Sequence, residues 1–341
     1  TIAGQTAPGE GVTLGKGALY VQADHVIVRY LRVRLGDHGT EDRDAISVTK
    51  GSNIILDHLS ASWSIDETFS NQSEEVDSLT VQWSLVSESL VNSHHEKGAH
   101  GYGGIIGALR QSFHHNLYAH HSSRSPKVTW RQHTEVDFRN NVIYNWGYQN
   151  CYDGTSSYIN WANNYYKSGP ATESDVRNQI FELSDEDKGQ FQEFETSLYA
   201  EGNYVDGFPK VSADNWNGGI NFEDGATESK NRKITPHDFP KIIEQTAEKA
   251  YALVLASTGA SLVRDVVDER IIKEVLTGTT TYSGSVSNTP GLIDSQDDVG
   301  GWPELEELSR GLGFDKDQDG MADEWEIQNG LNPNNPADRN D

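Results

Sequence analysis

The chain is short of three things, and each shortage excludes something. Cys151 is the only cysteine in 341 residues, so no intrachain disulfide can form and a disulfide-stapled scaffold is excluded. No apolar run reaches the length of about 18 residues that a membrane-spanning helix needs, so no span is expected. Positive charge is scarce: 27 basic residues face 52 acidic ones, a net charge of −25. Residues 1–170 hold 17 acidic and 13 basic residues, a net of −4, and residues 171–341 hold 35 and 14, a net of −21. A basic face is the usual footprint of a nucleic-acid binder, so no nucleic-acid partner is expected. The acidic half reads either as a solubilising surface or as affinity for calcium. No signal peptide is visible, but Thr1-Ile2-Ala3-Gly4 already reads as folded sequence, so a natural N-terminus removed on processing is expected.

What the chain does have is repetition. Short strand-like pieces fill the first 210 residues, among them Ile54-Ile55-Leu56-Asp57-His58, Leu79-Thr80-Val81-Gln82-Trp83 and Ser112-Phe113-His114-His115-Asn116. Aligned on Tyr30, His58, Trp83, His115, Asn140, Asn163 and Gly202, they recur at steps of 28, 25, 32, 25, 23 and 39 residues. A minimum near 23 with occasional excess is the signature of a solenoid with loops inserted on some rungs. One place further on stand Asn116, Asn141, Asn164 and Asn203, which at one corner of a β-solenoid can hydrogen-bond along the stack. Residues 171–197 read as a polar insertion.

The period changes from Thr235. Thr235-Pro236 is expected to open a helix through Ile242, Ile243, Ala247, Ala250, Tyr251, Val254 and Leu255 that stops at Gly259. A second helix is expected from Asp265 to Gly278. Both are read as structural, covering the C-terminal end of the solenoid. The stretch from Asp315 to Glu326 matches D-x-D-x-D-G-x5-E, with Asp315, Asp317, Asp319, Asp323 and Glu326 as candidate calcium ligands and Met321 offering its carbonyl.

A cationic island lies between residues 85 and 150, where six basic residues outnumber four acidic ones and eight of the twelve histidines fall. It would suit an anionic ligand; alternatively, paired histidines fill the interior, with His114 and His115 facing opposite ways on one strand. Zinc is a third reading, without a thiolate or a helical H-x-x-x-H to support it. Within the island, His115-Asn116 is followed by Arg124-Ser125-Pro126. A strand that ends by presenting a guanidinium fork can hold a carboxylate in two-point contact.

His115-Asn116-x7-Arg124-x-Pro126 resembles the motif of the pectate lyases of polysaccharide lyase family 1. Ile54 to His58 is similar to that family's W-I-D-H strand. His95-Glu96-Lys97 followed by Ile105-Ile106-Gly107 resembles H-D-K-…-L-I-G with an insertion. Thr1 to Gly9 and Trp63 to Thr68 resemble the bacterial branch, whose members often carry calcium-loop tails. The resemblance covers residues 1–210 well and the rest loosely. It implies an all-β fold, a right-handed parallel β-helix (solenoid) with C-terminal helices and a short calcium-binding tail. It further implies Ca²⁺-assisted β-elimination of polygalacturonate, an acidic polysaccharide, with Arg124 taking the C5 proton, Lys97 helping to hold the carboxylate, and His95, His115, Lys127 and Arg131 binding substrate. Asp44, Asp66 and Glu67 would hold the cleft calcium. The pattern departs at Ser47 and Ser70, where the family carries aspartates, and at Thr129, where it often has an arginine; Lys127 or Arg131 would substitute there. Asp57, inside a strand, is read as structural.

The expected layout is a catalytic β-helix over 1–232 with the insertion at 171–197, a helical and loop segment over 233–310 packed on it, and a calcium-loop tail over 311–341. The protein is expected to be a monomer, secreted or periplasmic. Three rivals stay open: a glycoside hydrolase, which would need two carboxylic acids flanking the bond, a lyase of another uronate, and a non-catalytic uronate-binding solenoid.

Overall fold

The computed structural model of the protein describes residues 1–39, 41–129, 133–185, 195–306, 308–311 and 313–339. Its strands wind into a parallel β-helix with three faces. The first face stacks, among others, Val76–Gln82, Arg110–His114, Thr134–Arg139, Ser157–Ala162 and Ser197–Glu201. The second stacks Val12–Gly15, Leu31–Arg34, Ser60–Ser62, Leu85–Ser87, Leu117–Ala119, Val142–Tyr144, Tyr165–Lys167 and Tyr204–Val205. The third runs through Glu67–Ser70, Tyr102–Ile106, Lys127–Val128, Cys151–Asp153, Phe181–Ser184 and Ile220–Glu223. Ile46–Asp57 serves the third face with its first half and the first face with its second.

Each rung must turn sharply between the first and second faces, and the sequence repeat marks where. All seven aligned positions, Tyr30, His58, Trp83, His115, Asn140, Asn163 and Gly202, have φ between 49° and 69°. A left-handed residue costs an L-amino acid about 1–2 kcal/mol, so something at the corner must offset that cost. The buried amides one place on supply it. Asn116, Asn141, Asn164 and Asn203 each donate Nδ2 to the Oδ1 of the next asparagine at 2.9–3.1 Å. The same Oδ1 atoms accept the backbone N–H of the asparagine one rung back. The ladder extends beyond the sequence alignment: Ser84 N–H donates to Asn116 at one end and Asn215 receives Asn203 at the other.

Alternate strand positions point inward. The register sets Phe113 beside Phe138 and Phe138 beside Trp161, and the last two rings stack at 4.0 Å with planes 11° apart. Rings also stack along the left-handed corner itself: Tyr30 on His58 at 4.6 Å, His58 on Trp83 at 6.0 Å and Trp83 on His115 at 4.2 Å.

The C-terminal half departs from expectation in three places. The first helix is Ala247–Ser257 and does not begin at Pro236. Residues 235–246 run extended across the first face, because side-chain amides of the sheet capture their backbone. Asn160 Oδ1 accepts from His237 N–H at 2.8 Å, Asn140 Oδ1 accepts from Gln245 N–H at 3.1 Å, and Asn140 Nδ2 donates to Gln245 O at 2.7 Å. Second, Ala247–Ser257 and Val266–Thr277 cover the second face and not the end of the solenoid. Val254, Leu255, Val267, Ile271, Ile272 and Val275 bury against Leu85, Leu117, Val142 and Tyr144, at about 1.5–3 kcal/mol for each fully buried side chain. The end is closed by Pro209–Ala213 and Trp216, whose Nε1–H donates to Ala200 O at 3.1 Å. Third, the polar stretch 171–197 contains a strand of the third face, Phe181–Ser184, registered against Cys151–Asp153; residues 186–194 lie outside the described residues.

Candidate active site

The third face carries the chemistry, and parallel register explains how residues far apart in sequence meet there. Tyr102 is registered beside Glu67 on one side and bridges to Ser123 on the other, while Lys127 is registered beside Tyr152. Rungs are spaced about 4.8 Å apart, so a row of groups forms along the solenoid axis. Asp44 and Ser47 come first, then Asp66, Glu67 and Ser70, then Tyr102, then Arg124 and Lys127, then Tyr152 and Asp153.

Arg124, in the left-handed region at φ 59°, sits in the middle of this row. One guanidinium nitrogen is paired with Glu67. Its Nε–H donates to the Tyr152 hydroxyl at 3.1 Å, and the guanidinium lies 4.1 Å from the centre of the Tyr102 ring. Burial works against its charge, but Glu67 and then Tyr152 outweigh burial and leave its pKa above the ordinary arginine value. The neighbour that dominates is therefore a carboxylate. Lys127 reaches Asp153 at 3.3 Å and lies over the Tyr152 ring.

Asp44, Asp66 and Glu67 each bring a carboxylate oxygen within 4.8 Å of the others. The two departures from the family pattern are answered here: the Ser47 and Ser70 hydroxyls both donate to Asp44 Oδ2, and Glu67 N–H donates to Asp44 Oδ1 at 3.1 Å. Neutral donors thus stand where further carboxylates would have raised the charge. Burial, then the charge of Asp66, pushes the Glu67 carboxyl up to about 8 despite Arg124. Burial opposes ionisation of Asp66 as well, but His100 and His95 hold it down to about 2. Three crowded, partly desolvated carboxylates, one of them paired with a guanidinium, form an all-oxygen donor set of the kind a hard divalent cation takes. Asp44, Asp66 and Glu67 would hold it.

The two imidazoles beside Asp66 act from behind it. His95 and His100 stack at 3.8 Å with planes 5° apart. His100 Nε2 lies 2.8 Å from Asp66. His95 Nδ1 accepts Lys97 N–H at 3.1 Å, which leaves its Nε2–H to face Asp42 and Asp66, both at 3.6 Å. His95 is thus buried support for a carboxylate and presents no open substrate contact. Because such outer partners typically tune metal affinity by about 10–100-fold, His100→Ala is expected to raise the divalent-cation concentration that half-occupies the cluster, read by calorimetric titration, by about tenfold. His100→Gln, which keeps a donor, should restore most of it. A cation affinity unchanged in His100→Ala would exclude this role.

The remaining expected site residues divide. Lys97 is exposed on the loop that carries His95. Arg131 lies outside the described residues. Thr129 is buried, its N–H on Ile106 O at 2.9 Å. His115 is not brought to Arg124: it sits at the corner between the first two faces, buried, with Nε2 at 2.6 Å from Gln245. His114 does not face the opposite way into solvent but lies beside it, with the two Nδ1 atoms 2.9 Å apart. Burial pushes His121 down to about 3 and His114 to about 4, so these two are neutral interior groups and add no positive charge to the island. Asp57 is structural as expected, buried between Arg29 and His58. His100, Tyr102 and Tyr152 escape sequence reasoning, although Tyr152 is one 25-residue rung step from Lys127.

Fold and site together define a β-helical protein with a carboxylate cluster on one face and Arg124 set against it. No protein-family model matches the chain. Among curated proteins it is similar to the probable pectate lyase C of Emericella nidulans, 35% identical over 348 residues, which span 98% of this chain and 72% of that protein. It is also similar to the probable pectate lyase C of Aspergillus terreus, 35% identical over 344 residues, 98% and 73% of the two chains. Solved structures that resemble it include a pectate lyase bound to hexasaccharide, at 15% identity and a TM-score of 0.49 over 75% of this chain and 66% of that one. A thermostable pectate lyase gives 19% identity and the same TM-score over 75% and 67%. On the strength of the sequence relatives, the chain belongs to the pectate lyase family.

Proposed function

We propose that the protein is a polysaccharide lyase that cleaves polygalacturonate by β-elimination, with Arg124 as the base and Ca²⁺ in the cleft. The observation that carries the reading is the meeting of Arg124 with the Asp44–Asp66–Glu67 cluster on one face of successive rungs. A linear polyuronate laid along that face would pass its carboxylates over Lys127 and Arg124 in turn. Arg124 takes the C5 proton, the C4–O bond breaks, a C4=C5 double bond forms, and the departing oxygen takes a proton from solvent. The cation, when bound to the C6 carboxylate, supplies Lewis-acid withdrawal of charge from the carbon that loses the proton. Tyr152 and Glu67 fix the guanidinium in place, and Lys127 and Lys97 add positive charge for the uronate chain. A general base must be near its pKa to work, and an arginine raised further by Glu67 is neutral only to about a thousandth or less even near pH 9. Activity should therefore climb into the alkaline range, and a maximum in acid would count against Arg124 as base. A polymeric substrate supports action outside the cytoplasm.

The hydrolase reading draws no support from the tight carboxylate cluster beside Arg124, since hydrolysis needs two carboxyls flanking the bond from opposite sides. The deciding experiment incubates the protein with polygalacturonate, with chelator and with calcium restored, and follows ultraviolet absorbance. Calcium-dependent unsaturated product is expected; reducing ends without unsaturation would mean a hydrolase, and no cleavage would leave a binding solenoid.

A further inference from the structure

The acidic tail holds a second, separate constellation. Asp315, Asp317 and Asp319 bring carboxylate oxygens within 4.8 Å of one another, and so do Asp319, Glu326 and Asp338. Four of these residues share a pattern. Each aspartate uses one oxygen to accept a backbone N–H: Asp315 from Gly320 at 3.0 Å, Asp317 from Asp319 at 3.3 Å, Asp319 from Met321 at 2.8 Å, and Asp338 from Asn332 at 2.9 Å. In each, the other oxygen is buried without a hydrogen-bond partner. Glu326 is fully buried, and both of its oxygens are unpartnered. Leaving even one buried polar atom unpaired costs about 1–3 kcal/mol, more for charged groups, so six such oxygens, on two triads that share Asp319, call for a partner.

We propose that the tail binds a divalent cation of the calcium type, and that Asp338, not Asp323, completes its ligand set. Four aspartates giving one oxygen each and Glu326 giving two make six, within the six to eight oxygens that Ca²⁺ takes. Sequence spacing nominates Asp323 as the ninth loop position, but it belongs to neither triad and Lys316 engages both of its oxygens: Oδ1 accepts Lys316 N–H at 2.8 Å, and Oδ2, though without a hydrogen bond, is ion-paired with Lys316 Nζ at 2.6 Å. Asp338 arrives instead from beyond the Asn332-Pro333 turn. The cation thereby fastens the last described segment of the chain to the loop, and the tail is ordered by metal in a way that owes nothing to the chemistry of the cleft.

The test is hydrogen exchange read by mass spectrometry on the full chain, titrated with Ca²⁺ alone, because segment resolution separates the tail from the cleft. Calcium should slow exchange across residues 313–339. Asp338→Ala should need about tenfold more calcium or more for the same protection, as expected when a charged ligand is lost, and Asp323→Asn should titrate like the parent. Asp338→Asn keeps the acceptor for Asn332 N–H, so its metal-free exchange should match the parent while its calcium requirement still rises; this separates a lost ligand from a disordered tail. Absence of calcium-dependent protection in the parent, a parent-like titration of Asp338→Ala, or an equal loss in Asp323→Asn would each overturn the proposal.

Discussion

Replacing Arg124 by alanine should lower kcat on polygalacturonate by about 10²–10⁴, the usual contribution of a positioned general base, or about 3–5 kcal/mol of barrier. The effect should fall on kcat and not on KM. A residue that only grips the substrate carboxylate contributes uniform binding, and its loss would raise KM at constant kcat. Lysine is the sharper replacement. It keeps the positive charge but cannot pair with Glu67 while also donating to Tyr152 and lying over Tyr102, as the planar guanidinium does. If charge alone were needed, Arg124→Lys would hold kcat near the parent value, and the assignment of Arg124 as base would fail. Glu67 loses its guanidinium partner in both variants, so each must be assayed with calcium saturating, and its fold checked by far-ultraviolet circular dichroism.

Much of this architecture was legible because the solenoid corner imposes a hard local demand. A left-handed residue must recur once per rung, followed by a buried amide at four of the seven aligned corners, and that recurrence aligns Tyr30 through Gly202 from the sequence alone. Asp66, Glu67 and Arg124 are singled out for a different reason, their resemblance to the family's motifs, and the structure brings Arg124 against Glu67 beside Asp66. Elsewhere the information is not local. The stretch 235–246 has helical periodicity, yet Asn140 and Asn160, remote in sequence and on neighbouring rungs, hold its backbone outside any helix. His115 belongs to a repeated corner position, and its neighbour in the sequence motif, Arg124, belongs to another face; adjacency in a motif did not translate into adjacency in space. Asp338 could not be foreseen from a twelve-residue loop pattern, because the turn that returns it lies outside the pattern.

The second large effect concerns the helix that shields the solenoid's second face. Arg34, fully buried, donates Nη2 to both oxygens of Asp265 at 2.9 Å and to Asp268 Oδ1 at 2.8 Å, while its Nη1 donates to Ser62 at 2.6 Å. Asp268 Oδ2 accepts Ser60 Oγ–H at 2.6 Å, and Arg32, equally buried, lies 3.5 Å from Asp265. Two guanidiniums on one strand thus face two carboxylates at the start of Val266–Thr277, where Asp265 also caps the helix by accepting Asp268 N–H at 2.9 Å. Replacing such a network wholesale by apolar residues can be neutral, but removing one partner strands a buried charge at about 3–5 kcal/mol. Asp268→Ala is therefore expected to destabilise by about that amount, read as a fall in the denaturant midpoint. Amides of residues 267–277 should lose exchange protection before those of the asparagine ladder, because the helix is held to the face through this cluster and the ladder is not. Burial disfavours the charge on Asp265, but Arg34 more than offsets it and leaves the pKa below the ordinary carboxylate value. Its contribution is then complete above the unfolded carboxyl pKa of about 4 and is lost as pH falls through the lower folded value. The helix should accordingly detach on acidification before the solenoid unwinds. A variant in which the ladder and the helix lose protection together would show instead that the helix and the solenoid form one cooperative unit.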